Sequence, residues 1–491
     1  MKKEVVLVVD FGTSNVRVNA VGTADGTILY SKSKKYYIQN SGKGYQELRV
    51  NELWDYSVEC MRSVTSDMEG ECEAKAISFS FFGDNVIPVD ESGVALNDCI
   101  LAIDPRGVEA SKEICKQIPR EEQVDIIGAS YDMPYMVGGK IYWMVRNMPE
   151  LKGKRIFWYS QQQYIFRRLG IRPVNDYTMA ARKCLADLSH LEWSKRFLDV
   201  IGISAESLGE IIGSGDVVDY VSAYGDVQFG KAIPVIAGAH DCDVGFIGTG
   251  AINEQFDYVG DITGTYDHVG YITNGVKNMQ KIHPEMSFGS YHGPFVNSTV
   301  CLTAFPTAGA TLEWFMREIH GGASAQDYLD CENGYAFDGT GSVMVLPNLS
   351  GYHGTIEGIG MTTTQGEIFG AIYEALSFEN RKMIKECERT REVPFSRIRI
   401  GGGAANSTVW MQLRADISGK IVERVDNIQV SSLGAAVLGA VQAGTYTNVE
   451  EAVSKMVRIR DVFIPDRERH DRYQERYELY LKRMGYFTKE G

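Results

Sequence analysis

Five apolar residues, Val5-Val6-Leu7-Val8-Val9, run unbroken into Asp10, and after a short polar stretch Val16-Arg17-Val18-Asn19-Ala20 alternates apolar with polar. The first run predicts a buried strand and the second a half-buried one, so Asp10-Phe11-Gly12-Thr13-Ser14-Asn15 falls in a tight hairpin turn. Further apolar runs predict strands at Val86–Val89, Lys154–Trp158 and Ala232–Ala237, and helical spacing predicts helices at Glu109–Gln117 and Leu191–Val200. Strands alternating with helices point to an α/β fold. A second strand–turn–strand unit, Tyr258 to Ile272 around Thr263-Gly264-Thr265, echoes the first without repeating its sequence. Two such hairpins suggest two related lobes, with a boundary near residue 250: 1–250 and 251–491. The segment Arg467–Tyr486, charged and aromatic, predicts an exposed helix packing on the second lobe.

At 491 residues the chain exceeds one ordinary core, which agrees with two domains. A formal charge of -14 argues against nucleic acid or an anionic membrane surface as partner, though a local cluster can still bind a small anion. Nine cysteines without CxxC or His-partnered spacing fit reduced thiols in a cytoplasm. The opening Met1-Lys2-Lys3-Glu4-Val5 meets Asp10 too soon for a secretory signal, and no apolar run suffices for a membrane span.

The first hairpin has the chemistry of a phosphate site. Gly12 removes a Cβ where a bulky group approaches, Thr13, Ser14 and backbone N–H groups offer donors, and Asp10 suits Mg²⁺ or its water. An Asp-capped polar turn is the plain alternative. The strand ending at Ala237 delivers Gly238-Ala239-His240-Asp241-Cys242-Asp243 to the sheet edge where α/β proteins bind ligands. A metal cluster there is disfavoured, because neighbours on an extended chain point opposite ways; His240 reads as structural or supporting. Later, Arg399-Ile400-Gly401-Gly402-Gly403-Ala404-Ala405-Asn406 runs from a strand into a helix on which Trp410, Leu413 and Ile417 share a face. Glycines and a helix start there suit a flat ring or a phosphate, although packing alone explains an isolated triple glycine. Small residues in Ser431–Ala440 permit close helix packing, so this stretch reads as structural, with backing of a ligand pocket as its further expectation.

Taken in order, the Asp10 hairpin, the GAHDCD turn, the Thr263-Gly264-Thr265 turn, Ala308-Gly309-Ala310-Thr311-Leu312-Glu313-Trp314-Phe315, the triple glycine and the 431–440 helix resemble the FGGY family of carbohydrate kinases, over residues 4 to 445. The resemblance implies α/β architecture with two actin-like (RNase H-like) lobes, an interlobe ATP/sugar cleft, Mg²⁺, and phosphorylation of a sugar or polyol hydroxyl. By that resemblance Asp241 is the general base and a second metal-side acid, and Asp10 the metal-associated acid. Thr13, Thr265 and Gly264 hold the transferred phosphoryl, with Arg17 near the phosphates. Gly309 lets the α/β-phosphates pass, and Gly402, Gly403 and Asn406 contact the adenosine. On the sugar side it implies Asp84, Asn85, Glu47, Asp104, Arg106 and Tyr135. The physical logic agrees: phosphoryl transfer is mostly positioning and charge neutralisation, and the chain has no GxxxxGK[ST] lysine.

Departures from the family pattern bear on the acceptor. Ala102 stands where a tryptophan often precedes Asp-x-Arg, Cys242 follows the base, Leu48 replaces a Gln, and 348–360 lacks the Glu-Arg-x-Pro of xylulokinases. Phe82-Gly83-Asp84-Asn85 resembles the L-fuculokinase segment, which favours an L-fuculose-like deoxyketose, with xylulose or another pentulose or polyol second. A sugar-binding pseudokinase and an actin-like ATPase are the readings from other classes; Asp241 argues against both. A homodimer is implied by the family only.

Overall fold

In the computed structural model the described residues are 2–40, 43–133, 135–264, 266–283, 290–347, 354–391 and 393–486. The chain forms two compact units. The first comprises Met1–Asn253, Ile272–Cys301 and Val430–Arg458; the second comprises Glu254–Tyr271, Leu302–Gln429 and Ile459–Gly491. A single cut near residue 250 therefore marks only the first of several crossings of the chain between the units.

The first unit is built on a sheet whose strands run, in order, Val217–Tyr224, Val227–Ile236, Cys72–Phe81, Lys3–Phe11, Asn15–Gly22 and Ile28–Lys35. Lys3–Phe11 pairs parallel with Cys72–Phe81 and antiparallel with Asn15–Gly22, so Asp10 lies opposite Arg17. Val5 to Val9 are fully buried, as a central strand covered on both faces requires. Ala239–His240 adds a short parallel pairing at Ser80 and Phe81, and the helix Asp241–Thr249 starts directly from it.

The second unit repeats the theme. Tyr258–Thr263 pairs antiparallel with Asp267–Asn274 and parallel with Arg397–Gly401, followed by Ile421–Val425 and Ile459–Phe463. The two-hairpin expectation is thus met in the backbone. The 25-residue helix Gln365–Arg389 runs through this unit's core; a Thr364/Glu367 capping box sets its start. The helix Arg467–Met484 buries Tyr473, Tyr477 and Tyr480.

Two local expectations need correction. The helix expected from Leu191 begins at Lys195, because Leu191 takes φ 53° and Trp193 bridges to Ala186. The strand expected over Lys154–Trp158 is Phe157–Tyr159; a turn holds Lys154 N–H on the Leu151 carbonyl first. The small-residue helix, Val430–Gln442, is the close-packing element expected: it belongs to the first unit and packs on Lys3–Phe11, Cys72–Phe81 and Asp241–Thr249. A Cβ on Gly434 would stand 1.7 Å from the Val244 carbonyl oxygen, and one on Gly248 1.9 Å from that of Val430. Glycine at both positions lets the two helix backbones touch.

Candidate active site

The catalytic carboxylate implied by sequence, Asp241, is the first residue of the helix Asp241–Thr249, where the partial positive charge of the helix start favours an anion. Its side chain is 34% exposed. Oδ1 accepts from the Cys242 backbone N–H at 2.7 Å and faces His240 Nε2 at 3.2 Å. Burial pushes the Cys242 thiol well above its usual range. Because the chain turns helical at Asp241, the donor atoms of His240, Asp241 and Cys242 do gather within 4.8 Å, unlike on an extended strand. Both ring nitrogens of His240, however, already face carboxylates.

Asp10, one residue before the end of its strand, lies near this centre. Burial pushes its carboxyl up, Ser80, Arg17 and Ser432 counter that, and the charge of Asp241 adds to the rise. Ser432 Oγ donates to Asp10 Oδ2 at 3.0 Å. Thr13 is exposed at the hairpin tip, and Tyr36 anchors that turn through the Gly12 and Asn15 carbonyls. A Cβ at Gly12 would meet only the Asn15 carbonyl at 3.6 Å, so packing does not demand the glycine.

Of the sugar-side residues, Asp84 adopts φ 55°, an uncommon backbone for a non-glycine residue. Burial pushes its carboxyl up, against the charges of Arg182, His240 and Lys140, while Asp241 adds to the rise. Its Oδ1 is buried without a hydrogen-bond partner. Tyr135 is close enough for Asp84 to raise its hydroxyl, behind the larger effect of burial. Lys140 joins these segments, donating to the carbonyls of Tyr135 (3.0 Å), Ala102 (3.1 Å) and Asp84 (3.3 Å); burial lowers it to about 8. Glu47, Asp104 and Arg106 form their own network: Arg106 grips Asp104 through two 2.9 Å hydrogen bonds and Glu47 at 2.6 Å. Asn85 is turned inward, its amide donating to the Phe82 carbonyl and accepting from Gln161 N–H, both at 2.7 Å.

The second unit holds a cavity of about 640 Å³ lined by Gly264, Gly309, Gly403 and Asn406, four of the residues expected on the nucleotide side. Gly309 N–H donates to the Gly264 carbonyl at 3.0 Å, tying two of these glycines together. Gly402 is not in the lining; it lies under the hairpin turn at φ 96°, where a Cβ would stand 2.1 Å from the Thr263 carbonyl oxygen. Thr265 lies outside the described residues. Sequence reasoning missed the cavity's apolar wall and its polar floor. Tyr373 stacks on Trp410 with centroids 4.6 Å apart, and Glu332 Oε1 accepts from Tyr373 Oη at 2.9 Å and Ser407 Oγ at 2.6 Å. Ser407 also caps the helix Thr408–Ser418, a cue visible in the sequence; nothing local in Asp330-Cys331-Glu332 signals a pocket.

The family model for the FGGY family of carbohydrate kinases, N-terminal domain, matches residues 5–248, and that for the C-terminal domain matches 295–443. A xylulose kinase of Staphylococcus epidermidis is 25% identical over 496 residues, covering 98% of this chain and 96% of that protein. An L-fuculokinase of Escherichia coli is 23% identical over 468 residues, covering 92% and 95%. The crystal structure of ligand-bound xylulose kinase from Lactobacillus acidophilus superposes with a TM-score of 0.86 at 21% identity, covering 98% of each chain, a likeness of fold.

Proposed function

The chain belongs to the FGGY family of carbohydrate kinases, and from that premise we propose that it transfers the γ-phosphate of ATP to a hydroxyl of a ketose, with Asp241 as general base. The carrying observation is the state of that carboxylate. The Cys242 backbone N–H and His240 Nε2 both meet it at Oδ1, and Oδ2 is the oxygen assigned to take the proton of an incoming hydroxyl. The cavity of the second unit suits the nucleotide: the base lies along the Tyr373–Trp410 wall, and the phosphates pass Gly309 and Gly264. Gly403 faces open space, with nothing within 4 Å of an added Cβ, as close approach by a ligand requires.

Asp10 and Asp241 fit Mg²⁺. They are hard oxygen donors whose mutual repulsion a cation relieves. When bound, the ion neutralises charge on the triphosphate. Asp84, with its unpartnered buried Oδ1, is the acceptor for a sugar hydroxyl, and Tyr135 lies beside it. Relatives of similar identity are named for xylulose and for L-fuculose, so pentuloses and 6-deoxyhexuloses are the two acceptor classes to set against each other.

A screen of ATP consumption over pentuloses, 6-deoxyhexuloses, polyols and aldonates tests the reading, with Asp241→Asn as blank. The variant is expected to bind nucleotide and to lose about 10²-fold or more in kcat. Near-wild-type turnover by Asp241→Asn would remove it as the base.

A further inference from the structure

Asp241 stands at the end of a single file of side chains. His240 Nε2 faces its Oδ1 at 3.2 Å, while Nδ1 of the same ring is 2.7 Å from Asp243 Oδ2. Asp243 is fully buried, and Arg182 Nη2 approaches that same Oδ2 at 3.5 Å. The Arg182 guanidinium in turn lies over the Tyr291 ring, 3.9 Å from its centroid. His240 precedes the helix and Asp243 occupies its third position, so the i,i+3 spacing sets both on one face.

The ring is also hemmed in. A Cβ at Gly83 would stand 2.5 Å from its Cδ2 and 2.6 Å from its Nε2, so the glycine of the Phe82-Gly83 segment gives the imidazole its seat. The backbone N–H of His240 donates to Thr178 Oγ1 at 2.8 Å, and that hydroxyl donates to Asp176 Oδ1 at 2.6 Å. An imidazole fixed in this way has one orientation, and in it Nε2 is aimed at the base.

Resting on the reading of Asp241 as base, we propose that His240 is a positioning residue. Its Nε2–H fixes the Asp241 carboxylate so that Oδ2 faces the sugar hydroxyl, and Asp243 with Arg182 holds the ring in register. A freely rotating carboxylate would turn its lone pairs out of line with the sugar hydroxyl for part of the time, a loss paid in kcat and not in nucleotide binding.

The experiment compares His240→Asn, His240→Gln, Asp243→Asn and Asp241→Asn by steady-state kinetics and thermal melting. Asparagine reaches only toward Asp243, whereas the longer glutamine amide can donate toward Asp241. His240→Asn is expected to lower kcat by about tenfold or more, less than the ~10²-fold for losing the base, with the KM for ATP nearly unchanged. His240→Gln should recover part of that loss. Should His240→Asn fail to fold, the isosteric Asp243→Asn reads the same file from its far side, and it too is expected to lower kcat at constant KM for ATP. Wild-type kcat in His240→Asn or Asp243→Asn, with Asp241→Asn inactive, overturns the positioning role alone. Equal losses in the Asn and Gln variants that track melting temperature also overturn it, in favour of packing. Turnover by Asp241→Asn instead removes the base on which the role depends.

Discussion

Ser432 Oγ donates to Asp10 Oδ2 at 3.0 Å although 422 residues of chain separate the two. The same hydroxyl accepts from Asn19 Nδ2 at 2.9 Å and is wholly buried. Ser432→Ala removes the hydroxyl that joins the buried Asn19 amide to Asp10, and Asp10 keeps Ser80 and Arg17 as its remaining partners. The expected cost is about 1–3 kcal/mol in stability, together with a higher Mg²⁺ concentration for half-maximal turnover. Chemical denaturation and a Mg²⁺ titration of activity check both; an unchanged Mg²⁺ requirement would separate Ser432 from the metal side of Asp10.

Two neighbouring glycines should behave oppositely. Gly402→Ala places a methyl on the Thr263 carbonyl at positive φ, and is expected to destabilise the protein by more than about 1 kcal/mol. Gly403→Ala meets nothing within 4 Å and should melt like the wild type while binding ATP more weakly. Isothermal calorimetry with an ATP analogue decides; wild-type affinity in Gly403→Ala would mean that no ligand group approaches this backbone.

The second hairpin rests on a buried ion cluster. Arg414, fully buried, reaches Asp261 and, at 2.8 Å, Asp267, while Thr263 Oγ1 lies between the two carboxylates, 2.8 Å from Asp261 and 2.9 Å from Asp267, with one proton to give, and Asn380 donates to Asp261 at 2.9 Å. Burial pushes Asp261 up against the pull of Arg414. Arg414→Met strands two carboxylates and is expected to cost about 3–5 kcal/mol, loosening the turn that carries Gly264 to the cavity. Urea unfolding gives the number; a loss below about 1 kcal/mol would show that the cluster contributes little.

Lys183 is buried with its ammonium on the Trp158 carbonyl, and burial brings it down to about 7. Unfolding restores an ordinary lysine, so between about pH 7 and 10.5 the unfolded chain holds more protons than the folded one. Stability from this group therefore rises with pH across that window and is lost as pH falls through 7. Relative to Lys183→Met, the wild type is expected to gain about 1 kcal/mol per pH unit from pH 7.5 to 9. Parallel stability curves for the two proteins would refute the assignment.

Much of this was legible in the chain because it is local. The Val5–Val9 run, the two hairpins and the strand–glycine–helix passage at 397–418 carry their periodicity and turn residues side by side. What stayed hidden depends on contacts distant in sequence. Nothing around Glu332 announces that its carboxylate meets Ser407 and Tyr373, and Arg182 reads as an ordinary helix residue until it is found against Asp243. Asn85 sits where a polar contact is expected, but its neighbours Phe82 and Gln161 claim its amide. The small-residue helix was recognised as a close-packing element, yet only the Gly434–Val244 and Gly248–Val430 approaches say which helix it packs on.

That last contact has a bearing on biosynthesis. When a ribosome has extruded the first 253 residues, the sheet around Lys3–Phe11 still lacks the helix Val430–Gln442 that covers it. The opening unit must then wait, with part of its apolar face bare, until residues 430–442 have also emerged, more than 170 positions later. Its completion is thereby tied to the synthesis of most of the second unit, residues 302–429 included.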